Sequence, residues 1–356
     1  MKRLKNHFTP ESAKHIGVGN PRLIHWFPGH MAKALKQFRE KIKLVDILLE
    51  VRDARAPLTS TNHELLKELG AKGRVILLNK TDLADPDNLA HWIAYLRSQG
   101  ETVLSIEALG AKGIQAIEQT AKSIMAPKHE RLKRKGIRPP PIRLIVAGLP
   151  NTGKSTLINR LAKKKATKTG PRPGITQHTL WTVIGKNMEL LDTPGIMPPK
   201  IANLEDGLCL TAIHCIKDEI PGARRTAVHL LKQYIEQKPE ALRKRYDIEE
   251  ELDPEITLEL IGLRHGFLKS QGVVNEEQAS YRVLKDFRDG YLEAIVWERP
   301  PKIGESVGET PTDLTHAAAA EADAKFVETT LKGAEAKKNP TELSKKDLEF
   351  MDDDED

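Results

Sequence analysis

The stretch Ile142-Arg-Leu-Ile-Val-Ala-Gly148-Leu-Pro-Asn-Thr-Gly153-Lys154-Ser155 decides the fold. Its last eight residues match G-x-x-x-x-G-K-[ST] in full. The glycines let the backbone curl, so that N–H groups from Asn151, Thr152, Gly153 and on to Thr156 face a phosphate. Lys154 reaches the outer phosphates, and the Ser155 hydroxyl suits Mg²⁺. A helix starting near Lys154 presents its positive end to the same anion. The apolar run before the loop reads as a strand and the run to Lys164 as a helix, which is the context such a loop needs.

Downstream, Asp192-Thr-Pro-Gly195 follows the apolar run Met188 to Leu191. A carboxylate at a strand end can hold Mg²⁺ through water, and the Gly195 N–H can meet a γ-phosphate. Between the two motifs, Thr176 in a Gly/Pro-rich loop is the candidate second hydroxyl for Mg²⁺. Upstream, Asn79-Lys80-Thr81-Asp82 follows the run Arg74 to Leu78. N-K-x-D resembles the guanine-reading signature of GTPases. A carboxylate such as Asp82 accepts from the N1–H and amino group of guanine, whereas adenine opposes it with an acceptor. Ordinary GTPases carry this motif after the phosphate loop; here it comes first. The order is that of a circular permutation, which a sheet tolerates because strand contacts specify it and surface termini can be relocated.

Other apolar runs, Leu44 to Val51 and Val103 to Ile106, alternate with helical patterns at 63–70, 88–99 and 114–125. Continuous apolar runs mark strands buried on both faces, and the alternation marks a parallel sheet. The predicted fold is α/β: a circularly permuted Ras-like P-loop GTPase domain, mostly parallel sheet with helices on both faces, followed by an all-helical domain. The expected boundaries are a flexible 1–22, a GTPase domain over 23–202 with an exposed Pro- and Lys/Arg-rich linker at 127–141, a helical RNA-binding domain over 203–299, and a disordered acidic tail over 300–356.

Composition sets the outer limits. The 356 residues carry 56 Lys and Arg against 50 Asp and Glu. The excess is uneven: residues 303–356 hold 15 acids and 6 bases, which leaves the rest strongly basic. A basic body favours an anionic partner, most simply nucleic acid. Three basic clusters stand out: Lys128 to Arg143; Lys163, Lys164 and Lys165 with Lys168; and Arg243, Lys244 and Arg245. Two cysteines, Cys209 and Cys215, exclude a disulfide scaffold and a Cys-rich zinc site. No apolar run nears the roughly 20 residues a membrane helix needs. The default is a cytoplasmic protein with no membrane partner.

These motifs, with Trp26-Phe-Pro-Gly-His30-Met-Ala-Lys-Ala34 and Asp53-Ala-Arg-Ala-Pro57, resemble the ribosome biogenesis GTPase A family. The resemblance covers about Ile24 to Trp297. It implies a GTP-hydrolysing factor, with Mg²⁺ held by Ser155, Thr176 and Asp192. Such a factor binds the large ribosomal subunit precursor and its rRNA in the GTP state, promotes late maturation and leaves after hydrolysis, and it would be monomeric off the ribosome. The resemblance points to His30 as the catalytic group, with His178 as rival, since Ile196 stands where Ras-like proteins carry a water-orienting Gln. It points to Asn151 as a ligand for K⁺ near the phosphates. It also points to Ala108 as the backbone donor to guanine O6, although Glu107 and Leu109 replace that motif's usual Ser and Lys. A phosphate loop alone would also suit a nucleotide-dependent kinase, which Asn79 to Asp82 and Thr176 disfavour. A non-enzymatic or very slow GTP-bound RNA-binding scaffold is the alternative reading.

Overall fold

After a two-residue strand β1 (Ile24–His25), which pairs antiparallel with β8 (Lys200–Ile201), the seven residues Ile47–Asp53 form strand β2, and every one of them is buried. It lies at the centre of a six-stranded sheet, flanked in parallel by β3 (Gly73–Asn79) and β5 (Ile142–Gly148). In the computed structural model the described residues are 24–25, 29–163, 181–184, 187–191, 200–201 and 203–301. Thr176, His178, Asp192, Gly195 and Ile196 lie outside them, as do residues 1–22 and the tail after Pro301; of His30 only the backbone is described.

The sheet order is β4-β3-β2-β5-β7-β6, with β4 at Val103–Ile106, β7 at Met188–Leu191 and β6 at Trp181–Ile184. All neighbours are parallel except β6 and β7. Chain order runs outward through β2, β3 and β4 on one side, then restarts at β5 on the other, where the edge strand β6 comes before β7, which fills the place between β5 and β6. The β2/β5 boundary is therefore a topological switch point, where open α/β sheets bind ligands beyond the strands' carboxyl ends. The base-reading half and the phosphate-loop half meet there in one sheet, as a circular permutation requires.

Apolar side chains explain most of the strands. Ile47, Leu49, Val51, Val75, Leu77, Leu144 and Val146 share one apolar cluster with Ile114, Ile117, Ala121, Leu157 and Leu161. Leu48, Ile145, Ala147 and Leu191 pack the opposite face against Phe38 and Ile42 of α1 (Gly29–Ile42). Three charged residues of β2 break the pattern: Glu50, Arg52 and the terminal Asp53. Arg52 donates to Glu50 through Nε at 3.0 Å and Nη2 at 2.9 Å. Burial alone would push the Glu50 carboxyl up, but the Arg52 and Arg74 guanidiniums outweigh it and hold it below the usual carboxylate range.

Helices α2 (His63–Leu66) and α3 (Pro86–Ser98) lie where the sequence places helices, whereas other elements depart from that expectation. The helix expected to stop at Met125 is α4 (Ile114–Arg134), which carries Pro127 inside it, so only residues 135–141 form the connection. Proline removes the N–H that would bond to Ser123, but both residues are exposed, so water can meet the freed carbonyl. β6 is an additional four-residue edge strand, too short and too half-exposed to stand out as an apolar run.

After the sheet come α6 (Leu204–Ala212), α7 (Ala223–Gln237), α8 (Pro239–Tyr246), α9 (Pro254–Arg264) and α10 (Glu276–Arg288). Asn203, Asp253 and Asn275 cap α6, α9 and α10 through their side-chain oxygens. The helical core, with Leu230, Leu231, Tyr234, Leu242, Ile261, Val283 and Leu284, also takes in Ala56 and Leu149 from the sheet region. The two regions thus share one apolar cluster.

Candidate nucleotide-binding site

The phosphate loop sits at the carboxyl end of β5. Gly148 has φ +153° and a Cβ there would lie 2.3 Å from the Val51 carbonyl; Gly153 has φ +98° and its Cβ would lie 2.1 Å from Asn79 Nδ2. Neither position accepts a side chain, which is the physical content of the two glycines in the motif. Asn151 adopts a left-handed φ of 58° between them. Lys154 is buried, and its Nζ donates to the Leu149 carbonyl at 2.6 Å. Thr152 is fully buried and donates to the same carbonyl at 3.0 Å. Ser155 and Thr156 open α5 (Lys154–Lys163), with Ser155 exposed.

The base-reading motif lies at the end of β3, one strand beyond β2. Asn79 is buried and uses both ends of its carboxamide: Nδ2 donates to the Thr152 carbonyl at 2.7 Å, and Oδ1 accepts from the Ala108 N–H at 2.9 Å. One side chain therefore staples the base reader to the phosphate loop and to the loop after β4. The Ala108 N–H, expected to face guanine O6, is engaged by Asn79 in this arrangement. Asp82, in the short 3₁₀ turn Thr81–Leu83, is exposed at the rim, where its carboxylate can meet a base. Thr81 Oγ1 donates to the Ile106 carbonyl at 3.3 Å and holds that turn against β4.

Beneath the motif lies an ion cluster without an assigned role in the sequence reading. Asp53, at the end of β2, is buried and meets Arg55 Nε at 2.9 Å and Lys80 Nζ at 2.8 Å. Burial would raise the Asp53 carboxyl, but Arg55 and Lys80 outweigh it and hold it well below the usual carboxylate range. Lys80 itself has a left-handed φ of 65°. The sequence signal was present in Asp53-Ala-Arg55, an acid and a base two apart at the end of an apolar strand; their partners were not.

The same loop receives the helical region. Arg55 lies 4.8 Å over the Phe287 ring, and its carbonyl accepts from the Trp297 N–H at 2.7 Å. Glu298 accepts from the N–H groups of Leu58 at 2.7 Å and Thr59 at 2.6 Å. The helical region also touches the phosphate loop: Asn151 Nδ2 donates to the His214 carbonyl at 2.8 Å. Among the described residues no donor meets Asn151 Oδ1. Nearby Cys215 is buried, and burial pushes its thiol up to about 12, so it is inert at neutral pH.

Of the expected basic clusters, Arg243 donates to the carbonyls of Ile248, Glu249 and Glu250, and Arg245 donates to Asp286. Only Lys244 of that trio projects freely among the described residues. Residues 203–301 carry 19 acids and 14 bases, whereas residues 1–202 carry 16 acids and 35 bases. The positive charge is on the nucleotide-binding half.

Known proteins share this plan. Residues 143–250 match a family described as 50S ribosome-binding GTPase. A ribosome biogenesis GTPase A from Bacillus pumilus is 44% identical over 280 residues, covering 78% of this chain and 99% of the relative. A mitochondrial ribosome-associated GTPase 1 from Xenopus tropicalis is 31% identical, covering 80% and 97%. The crystal structure of GNP-bound YlqF from T. maritima superposes with a TM-score of 0.51 at 26% identity, covering 75% of this chain and 98% of that one. With the phosphate loop at the switch point and the base reader ahead of it in the chain, the protein belongs to the ribosome biogenesis GTPase A family.

Proposed function

We propose that this GTPase binds the large ribosomal subunit precursor in its GTP state, promotes late maturation and leaves after hydrolysis. The observation that carries the reading is the double attachment of the phosphate loop, to the base reader through Asn79 and to the helical region through Asn151. A change at the phosphates is thereby felt in both. The relatives' names support a ribosomal partner, and the matched description supports the large subunit.

Asp82 accepts from the N1–H and amino group of guanine, with Lys80 and Asn79 holding its turn in place. Lys154 leaves the Leu149 carbonyl for the β- and γ-phosphates, whose charge outweighs a neutral carbonyl. The exposed Ser155 hydroxyl at the start of α5 fits a Mg²⁺ ligand, with Thr176 and Asp192 completing the protein's share; Mg²⁺ supplies charge neutralisation at the phosphates. Gly195 donates its N–H to the γ-phosphate. Asn151 Oδ1, which no described donor meets, suits a K⁺ ligand. His30 orients the attacking water, because Ile196 can neither donate nor accept. Among the described residues no helix is long and apolar enough to cross a membrane, and the reading is of a monomer off the ribosome, acting in the cytoplasm. The rRNA contact falls to the basic nucleotide-binding half.

The test is GTP hydrolysis by the full chain with and without purified large subunits. Stimulation by large but not small subunits supports the reading. Equal, vanishing turnover in all three conditions leaves a GTP-bound RNA-binding scaffold.

A further inference from the structure

The last buried residue of α4 is Met125, yet the helix continues to Arg134. About nine residues, some 13 Å at 1.5 Å per residue, overhang the core. Every residue from Ala126 to Pro140 is exposed or only partly covered. The overhang and the chain just beyond it carry Lys128, Arg131, Lys133, Arg134, Lys135 and Arg138 against a single acid, Glu130. Lys128 is tied to Asp46 at 2.7 Å and Lys133 to Glu130 at 2.8 Å. The side chains of Arg131, Arg134, Lys135 and Arg138 form no ion pair or hydrogen bond with any described residue.

This projection has a built end. Gly136 takes a left-handed φ of 71°, its N–H bonds to the Lys133 carbonyl at 2.8 Å, and the Ile137 N–H bonds to the Leu132 carbonyl at 2.9 Å. That is a Schellman-type stop, and the cations in the last turn favour the helix's negative end. Pro139-Pro140-Pro141 then return the chain to β5 with fixed φ at each step. The cations are thus displayed on a preformed arm, which lowers the ordering cost of binding.

We infer that the arm formed by residues 126–141 is an RNA-docking element that grips the phosphate backbone of a duplex segment through Arg131, Arg134, Lys135 and Arg138. Charge complementarity commits it to a polyanion, and the lack of a continuous apolar stripe on it argues against a membrane surface. The inference rests on the ribosomal reading above and names which part of the basic half makes the contact.

The test compares the wild-type chain with the fourfold variant Arg131→Gln, Arg134→Gln, Lys135→Gln, Arg138→Gln, in binding to a fluorescent 20-base-pair RNA duplex and to purified large subunits across a salt series. Each lost phosphate contact lowers the slope of log K against log[salt] by about one. We expect the slope for the duplex to fall by about 4, affinity for both partners to drop on the order of 10- to 100-fold, and basal GTP hydrolysis and thermal unfolding to stay unchanged. An unchanged slope and affinity in the variant would overturn the arm while leaving subunit binding intact. Failure of the wild-type chain to bind either partner would overturn the ribosomal reading itself, and the arm with it.

Discussion

Replacing Asn79 with Ala removes the staple between three loops. The carboxamide is buried and meets the Thr152 carbonyl at 2.7 Å and the Ala108 N–H at 2.9 Å. Its loss leaves one donor and one acceptor without their partner, and a buried polar group left unmet costs about 1–3 kcal/mol. The sum, about 2–6 kcal/mol, is a large share of the about 5–15 kcal/mol that holds a typical domain. Asn79→Asp separates the two bonds. A carboxylate still accepts from Ala108, but it sets oxygen against the Thr152 carbonyl and buries a charge, so it should destabilise at least as much as Ala. Urea unfolding of the nucleotide-free chain reads the first effect, and titration with a fluorescent GTP analogue reads the second. Affinity should fall in both variants, because the phosphate loop and base reader lose their common anchor. A stability loss below about 1 kcal/mol in Asn79→Ala, with GTP affinity unchanged, would refute the staple.

Asp82→Asn sets a donor against the guanine N1–H; GTP binding should weaken by a few kcal/mol while xanthosine triphosphate binding improves, measured by competition titration. His30→Ala should leave GTP affinity nearly intact and lower turnover about 10²-fold on large subunits; normal turnover there, with loss in His178→Ala, would move the role to His178. Asp53→Asn leaves the buried Arg55 guanidinium without its carboxylate partner and should cost about 3–5 kcal/mol at neutral pH in chemical denaturation. Because the Asp53 pKa is lowered on folding, its contribution is present above the ordinary value of 3.8 and is lost as pH falls below it. The gap between wild type and Asp53→Asn should therefore narrow below about pH 4; a pH-independent gap would show that the ion cluster is not its source.

The motifs legible in the sequence were those whose chemistry is local. Gly148, Gly153, Lys154 and Ser155 carry their meaning in fixed spacing, and the strand before them and helix after them are where periodicity put them. Motif order alone exposed the permutation, and the β2/β5 pairing agrees with it. What the sequence hid was long-range. Asn79 bonds across 73 residues to Thr152, and Arg55 meets Phe287 across 232. No local pattern encodes such pairs. Pro127 reads as a breaker in the sequence, yet α4 runs through it because the Ser123 carbonyl it leaves unbonded is at an exposed position. Arg243 and Arg245 resemble a binding cluster in the sequence, but Arg243 bonds the carbonyls of the loop after α8 and Arg245 holds Asp286. In each case burial and partners, rather than residue type, decided the role.

The central claim is that nucleotide state governs attachment to the large subunit. It is tested most directly by co-sedimentation of the full chain with purified large-subunit particles, in a non-hydrolysable GTP analogue and in GDP. Reciprocal linkage for a coupling of about 1–3 kcal/mol predicts binding about 5- to 150-fold tighter with the analogue, and an equal gain in analogue affinity on the particles. Equal sedimentation in the two nucleotide states would contradict the account.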